Sequence, residues 1–131
     1  MYDYPNVYCT LCDDYKSILE ATQFLFQSGA QNVLYLYNSQ SYSGLKKLSG
    51  YQSAVLQSGH DFRPEYIQLY QGEREDIEAI TDFLIQLNAN GLDFHGIIAS
   101  DDILAMGAIK YGRYKGLSMP DDFAVIGYNN S

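Results

Sequence analysis

The stretch "IIASDDILAMGA", from Ile97 to Ala108, joins two patterns at one point. Ile97 to Ala99 is a short apolar run of the kind buried on both sides of a parallel sheet. After the carboxylates Asp101 and Asp102, apolar residues recur at helical spacing. A strand that runs straight into a helix through polar residues is half of a βαβ unit. The pair of acids at the junction admits several roles: a metal site, acid–base chemistry, a ligand contact, or the cap of a helix.

The same alternation extends both ways along the chain. Tyr15, Ile18, Leu19, Thr22, Leu25 and Phe26 keep helical spacing, and Gly29 supplies a C-terminal stop. "NVLYLYN" then reads as a buried strand. Leu45, Leu48, Gln52, Val55 and Leu56 predict a helix closed by Gly59. Pro64 precedes a strand, "EYIQLY". Ile77, Ile80, Thr81, Leu84 and Leu87 mark a third helix ending at Gly91. "FHGIIAS" is a strand, "DDILAMGAIKYGRYKG" a helix closed by Gly116, and "FAVIGY" a last strand after Pro120. Strands alternating with helices of this length predict an α/β fold: a three-layer α/β/α sandwich on a mainly parallel, doubly wound (Rossmann-like) sheet. No repeat, low-complexity tract or linker divides residues 1–131, so a single domain is expected. In such sheets ligands bind beyond the carboxyl ends of the strands. That rule points to the loops after Cys9, Tyr37, Tyr70, Ser100 and Tyr128.

Composition narrows the function. With 47% apolar and 18% charged residues, the chain reads as globular. The net charge of −8, from 16 acids against 8 bases, argues against a nucleic-acid surface within these residues. No apolar run has the length of a membrane span, and no secretory leader pattern opens the chain. Two cysteines make no disulfide scaffold, which fits a reducing, cytoplasmic setting. Thirteen tyrosines against no tryptophan suit half-buried walls, where an apolar ring carries a polar tip.

Each candidate chemistry has a plainer competitor. Cys9 and Cys12 form a C-x-x-C at a strand end, the thioredoxin-like spacing. Asp13 and Asp14 come directly after and would raise a nearby thiol pKa, so two incidental small hydrophobes is the stronger reading. There is no second cysteine pair, and His60 and His95 lack zinc-ligand spacing; His95 reads as a strand-edge histidine. A magnesium site at Asp101 and Asp102 would want a Lys after the last strand, where "NNS" stands instead. No G-x-G-x-x-G, P-loop or Ser–His–acid set is present. For the acid pair, helix capping covers one member, Asp102, and leaves Asp101 turned toward a ligand. The polar residues of the strand-end loops mix hydroxyl, amide and charge, which suits a polyol or sugar.

The final block, "IIASDDILAMGAIKYGRYKGLSMPDDFAVIGYNNS", resembles the late effector-domain signature of LacI/GalR-type bacterial transcription regulators. That signature runs strand, N/S-D, an A-x-G-A helix, G-L-x-x-P-x-D, then V-I-G-Y. "DDYKSILEATQFLFQSGAQNVLYL" is similar to the family's D-N-Y helix and strand, and "LKKLSGY" to its R-x-x-G-Y/F segment. The resemblance implies the C-terminal lobe of a bilobed, periplasmic-binding-protein-like effector domain, with a sugar-like ligand in the cleft. It also implies that the DNA-binding headpiece and N-terminal lobe lie outside this chain, with Met1 a start added before an interior segment.

Carried over by position, the resemblance implies ligand contacts at Asp13, Ser43, Lys47, Arg74, Asp101 and Asn129. Lys47 stands where the family has Arg, and Arg74 where an aromatic often stacks on the ligand. Two bases at the cleft suit a phosphorylated or acidic sugar. The last helix resembles the one at the family's dimer interface, with Met106 and Ile109 on the dimer face. Gly112 inside it admits either close helix approach or packing on the sheet. The expected protein is therefore a sugar-effector sensor: a homodimer reaching operator DNA through its headpiece, with no catalytic residue, metal, cofactor or membrane contact. The alternatives are a periplasmic-type sugar-binding lobe and a thiol oxidoreductase using Cys9 and Cys12.

Overall fold

A computed structural model describes residues 7–10, 14–38, 44–60, 63–73, 76–119 and 122–128, with the backbone alone at 7–10, 14, 15, 17, 44–47 and 128. The elements alternate: β1 (Val7–Thr10), α1 (Asp14–Gln27), β2 (Val33–Asn38), α2 (Gly44–Gln57), β3 (Ile67–Tyr70), α3 (Ile77–Ala89), β4 (Gly96–Ala99), α4 (Asp102–Tyr114) and β5 (Ala124–Tyr128). The five strands form one sheet in the order β1-β5-β4-β2-β3, and every pairing is parallel. This is the expected three-layer, doubly wound α/β fold.

Two cores lie on opposite faces of the sheet. Ile18 and Leu25 of α1 and Tyr51 and Val55 of α2 pack with Tyr35, Ile98 and Ile126 on one face. Ile80 and Leu84 of α3 and Leu104, Ala108 and Tyr111 of α4 pack with Leu36, Ile97 and Val125 on the other. The chain moves across the sheet from β1 to β3 with its helices on the first face. It returns from β3 to β5 with its helices on the second. Reversing direction and face together keeps one hand of crossover throughout.

All four glycines read as helix stops have positive φ, from 71° at Gly116 to 106° at Gly29. After each, the next residue's N–H reaches back five residues, as from Ala30 to Leu25 O at 3.1 Å and from Leu117 to Gly112 O at 3.0 Å. Two further glycines set packing. A Cβ on Gly107 would stand 2.7 Å from Ile80 Cβ, so this is where α3 and α4 approach closely. A Cβ on Gly112 would stand 2.9 Å from Phe123 Cδ2, so Gly112 makes room for the residue leading into β5 and not for another helix.

Two expectations shift. The buried side of α2 is centred on Tyr51, Ala54 and Val55, while Leu56 is 64% exposed. Tyr51 is not among the positions expected inside, but its ring stacks 5.5 Å from Tyr35 and its hydroxyl donates to Val33 O at 2.5 Å. The tyrosine thus takes the inward place given to Gln52 and Leu56. The segment "EYIQLY" is strand only from Ile67, because Pro64 opens a 3-10 turn through Tyr66. Tyr66 is buried there, and its hydroxyl donates to Asp93 O at 2.6 Å.

Burial leaves its mark on titration. Burial, then the Asp93 charge, pushes the Tyr111 phenol up to about 12 from 10. Burial likewise raises Tyr51, Tyr66 and Tyr70. A phenol raised in the folded chain contributes stability that is full below its unfolded value near 10 and is lost as pH climbs through its folded value near 12. Thermal melts are therefore expected to drop progressively above about pH 10. The 295 nm titration of the folded chain should lag that of the urea-unfolded chain by several of its 13 phenols. Superimposable folded and unfolded titrations would contradict this.

Candidate functional site

Loops that leave neighbouring strands toward opposite faces open a crevice at the carboxyl edge of a sheet. β2 leads to α2 on one face; its neighbour β4 leads to α4 on the other. Asn38 ends β2, and Ser100 and Asp101 come after β4, so all three stand at this divide. Ser100 N–H donates to Leu36 O at 2.9 Å, which carries the β2–β4 pairing one residue past the strand.

Asp101 is wholly buried with an extended backbone, φ −147° and ψ 174°. Its Oδ1 accepts from Leu104 N–H at 2.8 Å and its Oδ2 from Asn38 Nδ2 at 3.1 Å. Its own carbonyl accepts the first helical bond, from Ala105 N–H at 3.2 Å. Asp101 is thus the N-cap of α4. The expected cap, Asp102, is instead the first helical residue, partly exposed, where its charge complements the helix dipole. The division of labour between the two acids is the reverse of the expected one. The extended residue at the strand end is the one whose side chain can fold back over the first turn.

The carboxylate engaged by two N–H groups is a positioning device, and these donors are not what a metal site places around a carboxylate. Among the described residues no group of three His, Cys, Asp or Glu is arranged to hold a metal ion. His95 stands just before β4 with Nε2 3.6 Å from Asp93 Oδ2, a strand-edge position as expected. Of the other expected ligand contacts, Asp13, Ser43, Arg74 and Asn129 lie outside the described residues, as does Cys12. Lys47 falls in the first turn of α2, at the carboxyl end of β2, with only its backbone described. Asn38, 4% exposed, was not anticipated. Its signal was a lone amide closing an apolar run, "VLYLYN".

A second surface runs along the outer side of α4. Ile77, Met106, Lys110, Arg113 and Tyr114 border an open groove of about 560 Å³ with Ile109 at its floor. Lys110 pairs with Glu78 across α3 and α4, and Tyr114 is 66% exposed. Of the two residues expected on a dimer face, Met106 is half-buried at the groove, whereas Ile109 is only 5% exposed and belongs to the chain's own core. Helical spacing places both on one side but cannot tell the inner edge of that side from the outer.

Residues 22–131 match the periplasmic binding protein-like domain. The chain belongs to that family. This periplasmic binding protein-like domain is similar to an HTH-type transcriptional regulator of Lachnoclostridium phytofermentans, at 38% identity over 98% of this chain and 38% of the relative. It is also similar to the HTH-type transcriptional regulator AscG of Escherichia coli, at 26% identity over 91% of this chain and 35% of the relative. Among solved structures it is similar to a sugar-binding transcriptional regulator of the LacI family from Escherichia coli, complexed with phosphate. That match has a TM-score of 0.76 and 26% identity, and covers 92% of this chain and 42% of the other. The domain thus spans well under half the length of these relatives. They are transcription regulators, which does not favour the thiol oxidoreductase or the periplasmic carrier. Among the described residues no helix is long and apolar enough to cross a membrane.

Proposed function

We propose that this domain is the C-terminal, effector-sensing lobe of a LacI-type DNA-binding transcription regulator. The observation that carries the reading is the buried Asn38–Asp101 pair at the divide between β2 and β4, in a chain whose relatives regulate transcription. The pair fixes an amide at the carboxyl edge of the sheet. In chain order, Asp13, Ser43, Lys47, Arg74 and Asn129 each come soon after the last residue of a strand. In this reading those five contact the effector, and Asp101 acts on it through Asn38.

The effector is a sugar whose anionic group meets Lys47 and Arg74. The similar Escherichia coli regulator is sugar-binding and complexed with phosphate, which supports this chemistry. Effector binding closes this lobe against a second one and biases the affinity of a headpiece for operator DNA in the cytoplasm. This is coupling between sites and not catalysis. Isothermal titration of the full-length protein with neutral sugars and their phosphates tests it. Phosphorylated or acidic sugars should bind at least tenfold more tightly, because each is held by two cations. Preference for the neutral sugars would remove the anionic reading, and no sugar binding at all would remove the effector class. The lobe alone, with half a cleft, should bind weakly or not measurably.

The α4 groove is the dimer contact in the same proposal. Tyr114→Asp places a charge in an exposed aromatic position at its border without touching the core. Analytical ultracentrifugation of the full-length protein should show a dimer that shifts toward monomer in this variant. An unchanged dimer would move the interface elsewhere.

A further inference from the structure

The amino end of the sheet carries a pocket that the proposed effector crevice does not use. β2 runs five residue steps from Val33 to Asn38, ~16 Å at ~3.3 Å per residue, so the two places lie at opposite ends of the sheet. The pocket holds about 200 Å³. Phe26, Tyr51, Val55 and Tyr66 give it apolar walls, and Asn32, His60 and Arg63 bring polar atoms. None of its described lining residues is acidic, although the chain has 16 acids against 8 bases. A concave patch with two basic side chains and no carboxylate among its described residues stands out against that background.

Its polar groups are held in place. Arg63 Nη2 donates to Asn32 Oδ1 at 2.7 Å, and the guanidinium lies 4.5 Å over the Tyr66 ring. A guanidinium has five N–H donors, and Asn32 takes one. His60 stacks on Phe26 at 4.2 Å with 23° between the rings. Its Nδ1 is shut off from solvent and bonded to no described residue. A buried ring nitrogen is costly to leave unbonded, and this one has no partner among the described residues. Tyr51, by contrast, has spent its hydroxyl on Val33 O, so it contributes wall and not recognition.

We propose that this pocket is a second small-molecule site, taking a compact oxyanion, a carboxylate or a phosphate group. Arg63 binds the oxyanion through its guanidinium fork, and His60 Nε2 adds a hydrogen bond. The aromatic walls give an apolar body attached to that group a surface to pack on. The site is independent of the effector crevice, and its occupancy leaves the crevice open.

The test is NMR titration of the 15N-labelled chain with sodium phosphate, and separately with sodium benzoate, at fixed ionic strength, with sodium chloride as a third arm. The side-chain signals of Asn32 and His60 should move saturably with at least one oxyanion, while those of Asn38 and Ser100 stay still. Saturation by phosphate alone assigns a phosphate group; saturation by benzoate alone assigns a carboxylate. Arg63→Gln keeps a donor for Asn32 at an exposed position and should weaken binding roughly tenfold. His60→Phe keeps the stack on Phe26 and should weaken it several-fold. Equal shifts with chloride, saturation centred on Asn38, or unchanged affinity in both variants would overturn the proposal.

Discussion

Replacing Asp101 with Ala is expected to lower the stability of the chain by about 2–4 kcal/mol, read as a drop in the urea midpoint. Loss of an N-cap alone costs about 0.5–2 kcal/mol. Here the cap is wholly buried, and its second oxygen holds Asn38 from a strand 63 residues away in sequence. Truncation would leave the Leu104 N–H and the Asn38 amide without these acceptors in a dry place, at about 1–3 kcal/mol for an unmet buried group. Asp101→Asn is the informative control. Asn caps helices about as well as Asp, and an amide turned over at position 38 can still meet it. That variant should lose about 1 kcal/mol or less. If Ala and Asn prove equally stable, the buried pair contributes nothing to the fold.

Phe123→Ala should cost about 3–5 kcal/mol, the range for emptying a buried aromatic site. The Phe123 ring is fully buried, 5.5 Å from Tyr111 and 6.3 Å from Phe94, and it lies in the space left by Gly112. A second substitution reads the geometry directly. Gly112→Ala gains about 1 kcal/mol of helix propensity but drives a methyl to 2.9 Å from the ring. In the natural chain the clash should win, with a net loss of about 1–2 kcal/mol. In the Phe123→Ala background the clash with the ring is gone, the Met119 sulfur at 3.3 Å can give way into the freed space, and the same change should become neutral or stabilising. Additive behaviour in denaturant melts would mean that the glycine and the ring do not face each other.

Much of the fold was legible because its signals are local. The four glycines that end the helices follow from backbone sterics within one turn, and each stands where the periodicity stops. The alternation of apolar runs and helical stripes settles the three layers, because a strand buried on both faces must be apolar throughout. The inner side of α2 was less legible. Leu56 and Gln52 were given an inward place that belongs to Tyr51, because a tyrosine's side depends on whether its hydroxyl finds an acceptor. That acceptor, Val33 O, lies on another element. The candidate site was legible as a place, the carboxyl ends of the strands, more than as a set of roles. Asp13, Ser43, Arg74 and Asn129 rest on resemblance, and Asn38 went unseen.

By itself the sequence "IIASDDILAMGA" determined that a buried strand meets a helix through two acids, and that one of them caps it. Strand and helix periods are properties of neighbouring residues, so they can be read without the rest of the chain. Which acid caps the helix was decided only by the tertiary structure. The sheet sets β2 beside β4, and Asn38 then meets the carboxylate of Asp101 from the next strand. A preference that depends on a neighbour brought in by folding is not written in the spacing of the two acids.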